Sequence, residues 1–181
     1  MNHLFATAAL ETPDGFNFAV LLIRVVVGIT MAAHGYNKVF LGGKIAGTGR
    51  WFDSMGMKPN GKIHALVAAS TEMGGGLMLA AGFLTPLAAA GFVGVMIVAA
   101  WTHKENGFFI VKDGWEYNLV LAVVAIGVAT MGPGRYSLDN VLGLDFAFQP
   151  KLGLGISAGL GILSGVGLLV ACYRPPAKTE G

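Results

Sequence analysis

The chain has 181 residues, 54% of them hydrophobic and 12% charged, with mean hydropathy +0.65 and a formal net charge of +2. A soluble domain is typically about 25% charged, so this composition excludes an ordinary globular protein and points to the membrane class. The small net charge, without a dense Lys/Arg run, excludes a nucleic-acid partner, and the single cysteine, Cys172, excludes an internal disulfide or a CxxC thiol relay.

From the N-terminus, Met1 to Asn17 carries Glu11 and Asp14 and no Lys or Arg. A cleavable signal needs a basic n-region, so the first apolar segment is expected to stay in the mature protein. That segment, about Phe18–Leu41, is the first of five apolar stretches suited to spanning a membrane as helix, which takes roughly 17–25 residues. Arg24, His34 and Lys38 lie on it. At about 100° per residue they share one stripe with Gly28, Met31 and Gly35, and such a stripe is expected to face a bundle interior. Lys38, at the helix end, is expected to snorkel to the interface. In the connection Gly42–Lys62, residues Trp51, Phe52 and Met55 share a helical face, which predicts a short interfacial helix.

The second span, about Ile63–Phe83, carries Glu72 near its centre. A charge near the bilayer midplane costs at least ~2.5 kcal/mol, so Glu72 is expected to be paired, protonated or used. Two pairings compete, Arg24–Glu72 and His34–Glu72. Either fixes helix register as a buried ion pair, or forms a proton-handling or ligand-anchoring site. Ser70 and Thr71 can bond helix carbonyls, and no G-x-S-x-G elbow supports a nucleophilic serine. Gly74-Gly-Gly76 permits close helix contact.

A tight turn at Leu84-Thr85-Pro86 leads into the third span, Thr85–Thr102, with Pro86 in its first turn. Trp101 and Trp115 bracket the loop His103–Trp115 at the depth of an aromatic belt. The fourth span is about Tyr117–Met131, with Trp115 and Glu116 extending it into the interface. His34, His103 and Glu116 are expected toward one membrane face, where with Glu72 they offer two imidazoles and two carboxylates. No HxxxH or ExxH pair lies on a single helix, so no metal is assigned. A polar cavity for a quinone headgroup or another lipid-borne ligand fits better, because His and Glu can supply protons to quinone carbonyls.

A linker at 141–151 leads to the fifth span, about Leu152–Tyr173, and a polar tail, 174–181. Ser157, Gly161 and Gly165 recur every four residues, with Gly155 and Gly159 as a second small pair. Such ridges let helices approach closely. The spacing GxGxxxG inside a span, with no strand before it, does not read as a nucleotide loop. Lys38, Lys44, Arg50, Lys58, Lys62, Lys104, Lys112, Arg174 and Lys178 fall on one side of the membrane, against Arg135 and Lys151 on the other. This asymmetry predicts an outside N-terminus and a cytoplasmic C-terminus. The expectation is an all-α membrane protein: a four-helix transmembrane bundle at 18–140 and an additional C-terminal transmembrane helix at 152–173, with 1–17 as an N-terminal segment.

Several pieces, in this order, resemble the DoxX family of small bacterial membrane proteins. They are Leu22-Ile-Arg24 with Gly28, His34-Gly35 with Lys38, Gly47 and Phe52, and Glu72-Met-Gly-Gly-Gly76. Gly82 with Thr85, Asn106-Gly-Phe-Phe109, Gly114-Trp-Glu-Tyr117 and Gly132-Pro-Gly-Arg-Tyr-Ser-Leu-Asp139 complete the match. The resemblance implies four packed transmembrane helices, and the fifth span departs from that pattern. It also implies membrane subunits of redox or oxidant-defence complexes, a quinone-linked thiosulfate oxidoreductase among them. Arg24, His34, Lys38, Glu72 and Glu116 fall at the family's polar positions. Glu72 and His34 are the candidate proton-handling residues. Arg24 is the candidate anchor, with Lys38, His103, Glu116 and Tyr117 as ligand-binding candidates.

The first functional expectation is a bacterial inner-membrane subunit that binds quinone non-covalently and takes electrons from a partner. The alternative is a non-catalytic scaffold or assembly factor. In it the fifth helix, through Ser157, Gly161 and Gly165, docks a protein partner or a second copy. A transporter is the weaker third, because no inverted repeat is visible.

Overall fold

The computed structural model describes residues 14–175. Met1–Pro13, with most of the N-terminal segment read above, and the tail from residue 176, including Lys178, lie outside the described residues. Within them the chain is all-α: α1 (Asp14–Phe40), α2 (Lys44–Ser54), α3 (Gly61–Ala81), α4 (Thr85–Thr102), α5 (Glu116–Met131) and α6 (Pro150–Cys172), with single turns between. Among the described residues four helices are long and apolar enough to cross a membrane: α1, α3, α4 and α6, of 27, 21, 18 and 23 residues. The apolar helix α5 is shorter than these four. Its 16 residues span ~24 Å, less than the ~30 Å hydrocarbon core.

α4 is the central helix, and its 18-residue span is 56% buried. α3, α5 and α6 pack around it, and α1 packs on α3. The α1–α3 seam is backbone against backbone. A side chain on Gly28 would meet the Gly76 carbonyl at 2.5 Å, and one on Gly76 would meet the Gly28 carbonyl at 2.6 Å. Gly35 lies as close to the Ala69 carbonyl and the Met73 amide, at 2.7 Å each. Of the triple glycine, Gly76 makes the close contact expected, while Gly74 faces open space.

The α6 ridge has a different role from the one expected. Gly161 sits on Val93 and the Ala90 carbonyl, and Gly165 on the Gly94 carbonyl, all of α4. Ser157 is fully buried and bonds the Gly153 carbonyl at 2.6 Å. Gly161 and Gly165 of the expected docking ridge are therefore occupied by α4 of the same chain, because they and Gly94 of α4 together remove the bulk that would hold two helices apart. Gly155 and Gly159 face open space.

A bridge between Met57 and Tyr173, with Lys58 N–H donating to the Cys172 carbonyl at 2.8 Å, ties the end of α6 to the α2–α3 connection. Phe52 of α2 is 5% exposed and packs with Met57, Ala65 and Val98. Trp51 remains exposed. The short helix expected here is present, but its Phe52 serves the bundle rather than the interface.

At the opposite end the buried polar groups are structural. The C-terminal carbonyls of a helix have no partner within it. Fully buried Arg24 supplies one, donating from Nη1 to the carbonyls of Ala80 (2.7 Å) and Leu79 (3.4 Å), and from Nη2 to that of Tyr136 (2.6 Å). A cation is also favoured at a helix C-terminus by the macrodipole. Gly82 follows in the left-handed conformation, φ 64. A side chain there would meet the Arg24 guanidinium at 2.5 Å, so glycine is required twice over. Asp139 caps the start of α4 from 54 residues away, accepting from Leu84 N–H (2.6 Å), Thr85 N–H (3.0 Å) and Thr85 Oγ1 (2.6 Å).

Candidate functional site

The glycine seam sets the level of every charged side chain on α1 and α3. With Gly35 beside Ala69 and Met73, and Gly28 beside Gly76 and Ala80, Glu72 stands level with His34. Arg24 lies about ten residues, ~15 Å, farther along the axis. Neither expected pairing forms. Lys38 Nζ donates to both carboxylate oxygens of Glu72, at 2.7 and 2.9 Å. Lys38 therefore turns inward instead of snorkelling outward. It is rooted about one turn from Glu72, and its four-carbon stem covers that distance. Its side chain keeps 25% exposure, against 5% for that of Glu72.

Glu72 lies in a π-helical turn, Thr71–Gly75, within α3. Such turns recur at functional sites because one inserted residue re-aims the side chains around it. The pair opens onto a cavity of about 560 Å³ at the α2 end of the bundle. This volume is in the usual range for small-molecule sites. Met31, Phe52, Val95, Met96 and Leu121 provide apolar walls, while Thr71, His64, Asn118 and Tyr117 supply polar groups.

The expected site residues divide between the two ends. Glu72, Lys38, His34, His103 and Tyr117 all line the cavity. His34 is exposed, and its Nε2 is 3.4 Å from the Tyr117 hydroxyl. His103 Nδ1 lies 2.8 Å from the Ala99 carbonyl, with its ring 6.3 Å from that of Trp51. Arg24 does not belong to this cavity and is not a ligand anchor there; it locks the far end of α3. Glu116 does not line it either. Its carboxylate accepts from Ile110 N–H at 3.1 Å and closes the 103–115 loop, whose Phe108 packs edge-on against Trp115 at 4.9 Å.

Three residues were missed in the sequence. His64 is 6% exposed, lines the cavity and bonds the Lys58 carbonyl through Nε2 at 2.8 Å. It stood in the apolar run Ile63-His-Ala-Leu, an anomaly of the same kind as Glu72. Asn118 is visible as a polar residue one turn before Leu121 on a largely apolar helix. Asp139 had no local signal as a cap, because its partners are 54 and 55 residues away.

Chemically, the cavity offers a neutralised ion pair, imidazoles at its rim and a largely apolar interior. It suits an uncharged amphipathic molecule better than an ion. Among the described residues no three His, Cys, Asp or Glu side chains gather as a metal site.

Residues 19–105, which span α1 to α4, match the DoxX family model. The chain is 29% identical over 124 residues to the Escherichia coli (strain K12) protein "Inner membrane protein YqjF"; the match covers 68% of this chain and 91% of that relative. No solved structure matches.

Proposed function

We propose that the cavity of this chain, an integral membrane protein whose residues 19–105 match the DoxX family model, binds the headgroup of a quinone. In this reading the protein is the membrane subunit of a redox or oxidant-defence complex in the bacterial inner membrane. The observation that carries the proposal is the Lys38–Glu72 pair, buried at mid-helix depth yet open to a cavity of about 560 Å³ with apolar walls. Quinone reduction consumes two electrons and two protons. Glu72, His34 and Tyr117 are groups that exchange protons, and Glu72 and Tyr117 both line the cavity. A single cysteine cannot ligate an iron–sulfur cluster, so the electrons come from a partner that carries the redox group.

The relative's name supports an inner-membrane location. The basic residues Lys44, Arg50, Lys58, Lys62, Lys104, Lys112 and Arg174 gather at the cavity end, against Arg135 and Lys151 at the other. This asymmetry supports a cytoplasmic cavity end. The test is to purify the protein from its native membranes in mild detergent and quantify quinone per chain by mass spectrometry. Near-stoichiometric quinone, reduced in Glu72→Gln at unchanged protein abundance, is the expected result. Quinone no higher than the membrane background would overturn the reading and favour a scaffold.

A further inference from the structure

One buried amide in the cavity makes no side-chain hydrogen bond among the described residues. Asn118, in the first turn of α5, is 9% exposed and lines the cavity, and its carboxamide has no hydrogen-bond partner among the described residues. Three neighbouring polar side chains are engaged. Glu72 holds Lys38, His64 holds the Lys58 carbonyl at 2.8 Å, and Tyr117 meets His34 at 3.4 Å. The amide reaches the cavity, and in a largely apolar cavity it forfeits hydrogen bonds unless an occupant supplies them.

We infer that Asn118 is the residue that reads the ligand's headgroup, and that this headgroup is uncharged. Lys38 and Glu72 satisfy one another, so a charged ligand would have to break their pair, whereas a neutral one leaves it intact. A carboxamide has two donors and an acceptor. It therefore donates to a carbonyl oxygen or accepts from a hydroxyl, and can hold both the quinone and the quinol. The identity of the occupant rests on the function proposed above; the role of Asn118 as a ligand contact does not.

The full-length protein in mild detergent is compared with Asn118→Leu, which is close in volume and wholly apolar, and with Asn118→Thr, which keeps a hydroxyl. Melting temperature is read without ligand, and affinity is read with a short-tailed quinone and its quinol. Asn118→Leu should melt no lower than the wild type without ligand and bind both forms about tenfold more weakly, the loss of one hydrogen bond. Asn118→Thr should recover part of that loss. A lower ligand-free melting temperature in both variants would assign Asn118 to the fold and overturn the inference. Quinone affinity unchanged in Asn118→Leu would overturn it too, while leaving quinone binding standing. No quinone binding by the wild type, with Asn118→Leu stabilised, would overturn the quinone reading and support Asn118 as the contact for a different neutral ligand.

Discussion

Removing Lys38 should harm the protein more than removing the charge of Glu72, although the two form one ion pair. Glu72 is 4% exposed on a π turn in the middle of α3 and cannot leave its position. In Lys38→Met its carboxylate stays buried without a counter-charge. Breaking a buried pair from one side costs about 3–5 kcal/mol, and contact with the cavity puts this case near 3 kcal/mol. Glu72→Gln leaves an amide that still accepts from Lys38, and Lys38, with 25% of its side chain exposed, can swing its ammonium to the helix end. That variant should lose about 1 kcal/mol. At about 2–4 °C per kcal/mol for a chain of this size, the melting temperature should fall by about 6–12 °C for Lys38→Met and about 2–4 °C for Glu72→Gln. The double variant should recover most of the Lys38→Met loss, because no charge is left buried. Thermal unfolding of all four proteins in one detergent measures the cycle. Equal losses in the single variants, or additive losses in the double, would refute the reasoning.

Arg24→Lys should cost about 1–3 kcal/mol, read as a lower melting temperature, because one ammonium cannot span the carbonyls of Leu79, Ala80 and Tyr136 as a guanidinium does; ligand affinity in the cavity should be unchanged. Asp139→Asn should cost about 1–2 kcal/mol, since an amide presents one acceptor oxygen where Leu84 and Thr85 now use two; denaturation of the purified variant reads the loss. Gly94→Leu should pry α6 from α4, because even a Cβ there would meet Ser164 Oγ at 2.5 Å. Limited proteolysis should then release a fragment near the 141–151 connection, and a wild-type digestion pattern would contradict the packing described.

The helices themselves were legible. α4 begins and ends at Thr85 and Thr102 as expected, because Pro86 and the Gly82 turn leave little choice. The inward stripe of α1 was legible in part: Arg24, Gly28, Met31 and Gly35 are buried, while His34 is exposed and Lys38 only half-buried. The pairing of Glu72 was not, because it depends on how far α1 slides along α3. Aligning helix centres places Arg24 and His34 equally near Glu72. The glycine contacts shift the register so that Lys38 is the cation in reach. The same glycines were visible in the sequence as a means of close approach, but a single chain does not say which glycine meets which. Asp139, Tyr136 and Arg24 converge from three distant segments, and no local pattern announces such a meeting. Glu116 misled for the opposite reason. Its partner, Ile110, is only six residues away, and a loop contact of that kind competes with any role across the bundle.

The arginine lock also bears on how the protein is made. Arg24 leaves the ribosome well before one of its acceptors, the Tyr136 carbonyl, which lies 112 residues later. At 5–20 residues per second, translation needs on the order of ten seconds to cover that interval. Until then the guanidinium has the α3 carbonyls within reach of Nη1, but its Nη2 has only lipid, water or a chaperone as company. α1 is thus provisional at first and becomes a settled membrane segment only when the chain beyond α5 returns to it.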